Sequence, residues 1–289
     1  MTAERRRRTR WALAAAWLLA AGCVDGAAAP RLVCHNSNCA AAPDPTRDDT
    51  LVALREGLGL LEAPAPRLDG LEIDLLWHAA AARCLFAHDV PADGEPAAAT
   101  ADEAAAEIEA ALVAPAFATR AGAALLVYVE LKGYVGIDHA DVHTPADRVA
   151  HADCALALRD RLEVTAGATG HALEVVFTSF DPALLQAMVD AGAHEREGVR
   201  LAAIQGIPPP LDGQTRPLGD FAGVGIELVE AHPGWLQPSA RDMVRSAGVG
   251  LSYWMFSAGS DTFARIERDA PEHVVTNEAE LLDRWLRGR

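Results

Sequence analysis

The sequence predicts an α/β fold, a single-domain (β/α)₈ TIM barrel, from three observations. Short apolar runs typical of strands alternate with stretches in which apolar residues recur at helical spacing. The strand-like runs are numerous enough for a barrel and lie at 31–35, 71–76, 84–88, 124–131, 173–178, 201–204, 223–228, 249–256 and 273–276. Residues 24 to 289 supply about the length that such a barrel needs. A doubly wound parallel sheet fits the alternation equally well, but the number of strands favours the barrel.

Helical stretches separate most of these runs, as crossover connections between parallel strands require. They are predicted at 48–61, 100–112, 146–162, 182–191, 239–247 and 278–286. The second of these has a clear start, because Glu103 follows Thr100 at the spacing of a capping box. No linker, repeat or low-complexity tract divides the chain, so residues 31–289 are predicted to form one domain.

The N-terminal segment is similar to a bacterial export signal. Residues 5–10 are rich in arginine, and residues 11–21 form an apolar run that is too short to span a membrane as a mature helix. The run ends in Leu-Ala-Ala-Gly-Cys, which resembles a lipoprotein signal with Cys23 as the lipidated residue. We therefore predict a signal peptide at 1–22, a tether at 23–30 and a membrane-anchored lipoprotein of the cell envelope. Cleavage a few residues later, giving a secreted protein, is the alternative.

The net charge limits the kinds of partner that the chain can bind. The chain carries a formal charge of −16, and residues 1–22 contribute five arginines and one glutamate, so their removal would leave −20. Such a chain repels nucleic acid phosphates and gains nothing electrostatically from anionic lipids. We predict no nucleic acid partner and membrane contact only through the lipid anchor. The sequence does not indicate an oligomeric state.

Export favours disulfides among the four cysteines that follow Cys23. Cys34 and Cys39 bracket four residues and are predicted to form a bridge that holds this short loop. Cys84 and Cys154 lie on a predicted strand and a predicted helix and are expected to be buried thiols. Zinc ligation is the alternative for them, but no Cys-x-x-Cys spacing supports it.

Acidic residues two apart on apolar runs are the main indication of a site. Glu72 and Asp74 share one face of a predicted strand, and Glu130 and Lys132 share one face of another, because side chains alternate along a strand. Carboxylates on the inner face of buried strands are costly unless they are paired or bind a metal. Three hard oxygen donors suit Mg²⁺ or Ca²⁺, so these carboxylates are candidate metal ligands. Ion pairing, to Lys132 and to an arginine inside the barrel, is the alternative.

Two histidines lie at the ends of strand-like runs beside these carboxylates. His35 follows the first run, and His88, with Asp89 next to it, ends the third. The functional face of a (β/α)₈ barrel is at the carboxyl ends of its strands, which is where both histidines, Asp74 and Lys132 fall. Two histidines so placed can take and give protons in catalysis.

The ordered series of these residues resembles the glycerophosphodiester phosphodiesterases and the related phospholipase D toxins. The matching pieces are His35, Glu72-x-Asp74, His88-Asp89, Glu130-x-Lys132, Ser179-Phe180-Asp181, Trp254 and Val274-Val275-Thr276-Asn277. The resemblance runs from about residue 31 to the C-terminus and implies a (β/α)₈ barrel that cleaves a small-molecule or lipid phosphodiester.

The resemblance also implies a role for each matching residue. Glu72, Asp74 and Glu130 would hold the metal, and His35 and His88 would act as acid and base. Lys132 would neutralise phosphate charge in the transition state, and Trp254 would line the substrate pocket. In the family's mechanism a neighbouring substrate hydroxyl attacks phosphorus and gives a cyclic phosphate, which water can then open.

Two departures from the family bear on the substrate. Asn36 stands where the glycerophosphodiesterases carry an arginine that grips phosphate in a bidentate way, so Asn36 is a candidate substrate-binding residue of different chemistry. Only 40 residues separate Asp89 from Glu130, which leaves no room for the inserted cap of many glycerophosphodiesterases. The shorter connection is closer to the phospholipase D toxins.

Two other functions remain open. Asn36 allows a barrel that has lost catalysis and acts as a surface-anchored binding protein, against which stand both histidines and the three carboxylates. A metal-independent phosphatidylinositol-cleaving enzyme of the same superfamily would use an arginine in place of the metal, which the Glu72-x-Asp74 pair disfavours.

Overall fold

Eight parallel strands close into a barrel in a computed structural model of the chain. The barrel strands are β1 (Arg31–Cys34), β2 (Gly70–His78), β5 (Leu125–Lys132), β6 (Leu173–Ser179), β7 (Val199–Gln205), β8 (Leu228–Ala231), β9 (Gly250–Met255) and β10 (His273–Thr276). The structure describes residues 29–39, 44–89, 98–133, 143–205, 217–234, 238–255 and 259–288. Pairing of Val33 with Gly70 and of Cys34 with Leu71 closes the sheet, so the predicted (β/α)₈ barrel is confirmed and the doubly wound sheet is excluded.

Helices pack around the outside of the barrel. They are α1 (Leu51–Leu58), α2 (Ala101–Leu112), α3 (Pro145–Thr169), α4 (Pro182–Asp190), α5 (Pro238–Ser246), α6 (Ser260–Asp269) and α7 (Ala279–Arg287). Short 3₁₀ turns occur at His35–Ser37, Pro45–Arg47, Gly59–Leu61, Ala79–Ala81, Ala193–Glu195 and Leu218–Phe221. The capping box predicted at Thr100 and Glu103 is present at the start of α2. Helix α6 has no counterpart among the predicted helices.

The third strand-like run is not a barrel strand. It forms β3 (Arg83–Phe86), which pairs antiparallel with the carboxyl end of β2 and with the two-residue strand β4 (Ala99–Thr100). The backbone N–H of Ala87 donates to the carbonyl of Asp74, which brings the end of this extension against the barrel. The segment that carries His88 therefore leans on β2 from outside the ring of parallel strands.

Polar side chains collect at the carboxyl end of the barrel interior. An apolar layer is formed by Val33, Leu126, Tyr128, Val176, Ala202, Leu228 and Val275. Two residues further along the chain are Glu130, Thr178 and Glu230 on the same strands, and His35 and Asn277 just past the ends of β1 and β10. Nearer the amino end, the Tyr128 hydroxyl contacts buried Ser252 and His273. The polar groups at the carboxyl end lie where barrel enzymes keep their sites. A larger apolar core lies between the strands and the helices.

Two disulfides are present among the described residues. Cys34 and Cys39 are bridged, with their Cα atoms 5.4 Å apart, which confirms the predicted loop closure. Cys84 on β3 is bridged to Cys154 on α3, with Cα atoms 6.4 Å apart, so the expectation that these two are buried thiols is wrong. The extension beside β2 brings together two cysteines that are 70 residues apart in sequence, a proximity that no local pattern reveals.

The predicted signal peptide, Cys23 and most of the tether lie outside the described residues. Within the described ranges, no helix combines the length and the apolar character that crossing a bilayer requires.

Candidate functional site

Three buried carboxylates meet at the carboxyl end of the barrel. Glu72 and Asp74 come from β2, and Glu130 comes from the neighbouring β5, where it pairs in register with Asp74. One oxygen from each side chain lies within 4.8 Å of the others, and all three residues are buried. The predicted convergence of these side chains is therefore found in the structure. Carboxylate oxygens at this spacing can hold one divalent cation.

Lys132 pairs with two of these carboxylates. Its Nζ lies 2.9 Å from Asp74 Oδ2 and 2.7 Å from Glu130 Oε1. It is the only lysine in the chain, which has 24 arginines. A compact ammonium on a flexible stem occupies this place, where a planar guanidinium would grip both carboxylates at once.

A further carboxylate, which the sequence analysis missed, lies close by. Glu230 on β8 is fully buried, and its Oε2 accepts a hydrogen bond from Thr178 Oγ1 at 2.8 Å. Its Oε1 is buried without a hydrogen-bond partner. Burial raises the pKa of Glu230 to about 8, and the charge of Glu130 adds to this shift. The run predicted at 223–228 overlaps the observed strand β8 only at Leu228, so Glu230 fell outside the prediction, although it shares a face with Leu228 as Asp74 does with Glu72.

The cluster holds more negative charge than its single ammonium balances. Burial raises the pKa of Glu72 well above its usual value, and neighbouring carboxylates, Glu230 first among them, raise it further. Burial also raises the pKa of Glu130 against the opposing effect of Lys132. Asp74 Oδ1 is buried, and no donor in the described part of the chain reaches it. A buried oxygen without a donor, beside two further buried carboxylates, is a donor set that fits Mg²⁺ or Ca²⁺, whose charge would relieve the mutual repulsion.

Asp49 supports the cluster from the loop before α1. Its Oδ1 accepts the backbone N–H of Asp74 at 3.1 Å, and its Oδ2 is buried without a partner. Its backbone lies in the left-handed region, with φ of 52°. Burial raises its pKa well above the usual value, and the charge of Asp74 contributes. Its place in the site was not predicted, because it belongs to a helical stretch in the sequence pattern.

His35 is held in one tautomer by two neighbours. Its Nδ1 donates to Asn277 Oδ1 at 2.7 Å, and its Nε2 accepts from Trp254 Nε1 at 2.7 Å. The same Nε2 lies 3.8 Å from Glu72 Oε2. Burial lowers the pKa of His35 to about 4, so the ring is neutral at pH 7 and its Nε2 carries a lone pair.

His88 has a different environment. It follows β3, its side chain is 48% exposed, and its Nδ1 lies 2.9 Å from Asp89 Oδ2. Lys132 and burial lower the pKa of His88, but the bond to Asp89 and the nearby carboxylates outweigh them, so the pKa is raised. His88 is therefore the more readily protonated of the two site histidines. Asp89 orients its ring.

Asn36 forms hydrogen bonds with other residues of the protein. It adopts a left-handed backbone conformation, with φ of 46°, in the 3₁₀ turn after β1. Its backbone N–H donates to Glu72 Oε2 at 3.2 Å, and its Nδ2 donates to Asp48 Oδ2 at 3.3 Å. Its Oδ1 is buried without a partner. The Asn36 side chain is thus an uncharged amide hydrogen-bonded to a carboxylate, which cannot offer a positive charge to a phosphate group.

Trp254 has an apolar side and a polar side. Its indole N–H binds His35, and its ring meets Phe180 and His232 edge to face, with centroids about 6 Å apart. Phe180 and His232 follow barrel strands β6 and β8, so the three rings line the carboxyl-terminal face beside the carboxylates.

No protein-family model matches the sequence, and no curated protein sequence matches it. Solved structures match its fold. A phosphodiesterase from Oleispira antarctica, in complex with the product sn-glycerol-3-phosphate, superimposes with a TM-score of 0.58 at 12% identity over 89% of this chain and 97% of its own. A glycerophosphodiester phosphodiesterase from Parabacteroides distasonis gives 0.61 at 11% identity over 91% and 99%. One from Agrobacterium tumefaciens gives 0.51 at 16% identity over 88% and 97%.

These likenesses bear on the fold. The resemblance predicted from the order of short motifs is confirmed at that level, because the chain folds as glycerophosphodiester phosphodiesterases do and spans nearly their whole length. Identities of 11 to 16% leave the chemistry to be argued from the side chains at the site.

Proposed function

We propose that this chain is a cation-dependent phosphoric diester hydrolase that cleaves glycerophosphodiesters or phospholipid-like diesters. The observation that carries the proposal is the convergence of Glu72, Asp74 and Glu130 beside two histidines of different protonation, at the carboxyl end of a barrel. The fold likeness to phosphodiesterases supports the same reaction class.

Glu72, Asp74 and Glu130 would hold Mg²⁺ or Ca²⁺. The bound cation supplies charge neutralisation at the phosphate oxygens. Lys132 adds a positive charge beside the same phosphate.

His35 serves as the proton acceptor. Its pKa of about 4 keeps it neutral, and the Asn277 contact holds its proton on Nδ1, which leaves Nε2 to take a proton from the attacking hydroxyl or water. The Trp254 N–H occupies this lone pair in the structure, so substrate has to compete with that contact.

His88 serves as the proton donor. Its raised pKa and its bond to Asp89 favour the protonated ring, and its exposed position suits a leaving group that departs to solvent. Attack by a neighbouring substrate hydroxyl gives a cyclic phosphate and the free alcohol, and water can then open the ring. Direct attack by water gives the monoester.

Asn36 and Trp254 are proposed to contact the substrate. Asn36 presents no charge, so a site of this kind relies on the cation and Lys132 to hold phosphate. The rings of Trp254 and Phe180 offer apolar and cation–π contact to the rest of the diester.

A substrate panel tests the function. Glycerophosphodiesters, lysophospholipids and sphingomyelin are incubated with the protein and Mg²⁺ or Ca²⁺, and phosphorus NMR distinguishes cyclic from open products. We expect turnover of at least one diester that is abolished by chelator, restored by the cation and absent in Glu72→Gln. Lack of turnover across the panel, with binding of a diester retained, would instead support the surface-anchored binding protein.

A further inference from the structure

We infer that the Lys132 ammonium is an internal competitor of the divalent cation: it neutralises Asp74 and Glu130 while the cation is absent and leaves them when the cation binds. The inference rests on the proposed cation site and goes beyond it, because it assigns this lysine two alternative positions. Cation binding would then both complete the site and release the ammonium for the substrate phosphate.

Lys132 contacts two of the three proposed cation ligands. Lys132 Nζ contacts Asp74 at 2.9 Å and Glu130 at 2.7 Å, and these two residues with Glu72 form the cluster of three carboxylates proposed to hold the cation. The ammonium thus sits on two of the three ligands. With its side chain 4% exposed, water offers the ammonium little compensation, so contacts within the protein, these two carboxylates among them, hold it.

The positive charges of the Lys132 ammonium and of the cation oppose each other. A cation bound by the cluster at about 2.0–2.6 Å would place two positive charges beside an ammonium already in contact with the same carboxylates. Like charges at such separations repel strongly where water is largely excluded. The ammonium therefore weakens cation binding while it stays, and cation binding weakens its hold on Asp74 and Glu130.

The residue type at position 132 also bears on whether it can be displaced. The chain uses arginine at 24 positions and lysine only at 132. A guanidinium between two carboxylates would bind through its fixed fork and would be difficult to displace. An ammonium on a four-carbon stem has rotatable bonds and binds each carboxylate as a point charge, which suits a displaceable competitor.

The single lysine makes a direct measurement possible. Protein grown with lysine labelled at ¹³Cε and ¹⁵Nζ gives one lysine side-chain signal, which needs no assignment. We expect this signal to shift and sharpen on titration with Ca²⁺, in proportion to the occupancy measured by calorimetry, and to stay unchanged in Glu72→Gln. A lysine signal that does not move when calorimetry shows the site saturated would overturn the inference.

Two substitutions test whether the residue at position 132 competes with the cation for the carboxylates. Lys132→Met removes the competitor, so Ca²⁺ should bind about tenfold more tightly or more, whereas Lys132→Arg should bind it about tenfold more weakly. Unchanged Ca²⁺ affinity in Lys132→Met would overturn the competition. Circular dichroism checks that both variants fold, and the wild-type NMR titration decides if either does not.

The outcomes separate this inference from the proposed function. Diester cleavage with saturable Ca²⁺ binding and an unmoved lysine signal overturns the inference alone. If calorimetry detects no binding of Ca²⁺, Mg²⁺ or Mn²⁺, the inference and the cation dependence of the proposed function both fail.

Discussion

The two site histidines differ in ways that sequence spacing does not convey. His35 and His88 both follow apolar runs, yet one is buried and held by Asn277 and Trp254, while the other is half exposed and paired with Asp89. Burial lowers the pKa of the first, and carboxylates raise that of the second. Two titratable groups whose environments separate their pKa values suit the roles of base and acid.

Removal of either imidazole should therefore lower turnover without unfolding the barrel. We expect His35→Ala and His88→Ala to reduce kcat by roughly 10²–10⁴-fold, because general acid–base catalysis contributes about that factor. His171→Ala is the matched control, since His171 precedes β6 at the opposite end of the barrel and packs on Phe117. Initial rates on the best substrate of the panel measure the effect. Near-normal turnover in either site variant would remove that histidine from the mechanism.

Glu230 should give the cation-free protein an unusual pH dependence. Its folded pKa of about 8 lies above the ordinary value of 4.5, so the folded state binds its proton more tightly than the unfolded state does. Stability from this group is full below about pH 4.5 and is lost as the pH rises through about 8. Each unit between the two pKa values corresponds to about 1.4 kcal/mol, so the loss is measurable.

The test compares thermal unfolding at pH 5.5 and pH 8.5 in the presence of chelator. Glu230→Gln keeps a partner for Thr178 but cannot ionise, so its Tm should fall less between the two pH values than that of the wild type. Glu227→Gln is the control, because Glu227 is exposed on the same segment. Equal Tm differences in all three proteins would show that Glu230 does not titrate in this way.

Sequence periodicity predicted the strands whose apolar pattern is clear and missed a helix whose pattern is weak. The strands that carry Glu72, Asp74, Glu130 and Lys132 were predictable because alternation by two places side chains on one face whatever lies elsewhere. Helix α6 was not predicted, because its sequence from 260 to 269 is mostly polar, with Phe263 and Ile266 as its large apolar residues. Amphipathicity carried by two apolar residues is easily mistaken for a loop.

The run that ends in His88 shows that the pairing partner of a strand is harder to predict than the strand itself. It is a strand, as predicted, but β3 adds antiparallel to the edge of β2 rather than entering the barrel. Nothing in a four-residue strand specifies which partner it will pair with. The pairing depends on β2 being long enough to extend past β1, which is a property of another element.

The disulfide between β3 and α3 should stabilise the protein more than the short loop bridge does. It closes a loop across 70 residues, against 5 for Cys34–Cys39, and the chain-entropy model gives about 4 and about 2 kcal/mol respectively. We expect the double variant Cys84→Ser and Cys154→Ser to lose up to about 4 kcal/mol in urea unfolding. The Cys34→Ser and Cys39→Ser pair is the comparison. An equal loss in both would contradict the loop-length argument.

The barrel interior contains an apolar layer, which stabilises the fold, and a cluster of carboxylates, which forms the candidate site. Five buried carboxylates lie at its carboxyl end near one ammonium: Glu72, Asp74, Glu130 and Glu230 on barrel strands, and Asp49 in the loop before α1. Carboxylates buried in this number cost stability unless something neutralises them. The site is therefore expected to limit the stability of the cation-free protein.

Cation binding should accordingly stabilise the fold. Because Ca²⁺ or Mg²⁺ would bind the folded state and not the unfolded chain, a concentration of 100 times Kd adds about 2.7 kcal/mol to the free energy of unfolding. Differential scanning calorimetry should show a Tm that rises with cation concentration in the wild type and stays constant in Glu72→Gln. A Tm that responds equally in both proteins would point to cation binding elsewhere on this acidic chain.

The position of the protein in the cell remains a proposal that rests on residues 1–30. The arginine-rich start, the short apolar run and Cys23 in Leu-Ala-Ala-Gly-Cys support cleavage before Cys23 and lipid attachment there. Each buried CH₂ of an acyl chain adds about 0.8 kcal/mol of membrane affinity, so more than one chain gives a stable anchor. The acidic barrel itself would not be attracted to anionic lipids, and its attachment would depend on the anchor.

Substitution of the proposed lipidated residue tests this dependence. Expressed in a bacterium, the wild-type chain should fractionate with membranes and incorporate labelled fatty acid, while Cys23→Ser should do neither. Cys34→Ser, together with Cys39→Ser, controls for the loss of a thiol, since these residues form a bridge within the barrel and should leave membrane association unchanged. If the wild-type protein is recovered wholly in the soluble periplasmic or culture fraction, plain secretion replaces lipid anchoring, and the barrel would reach lipid diesters only by diffusion.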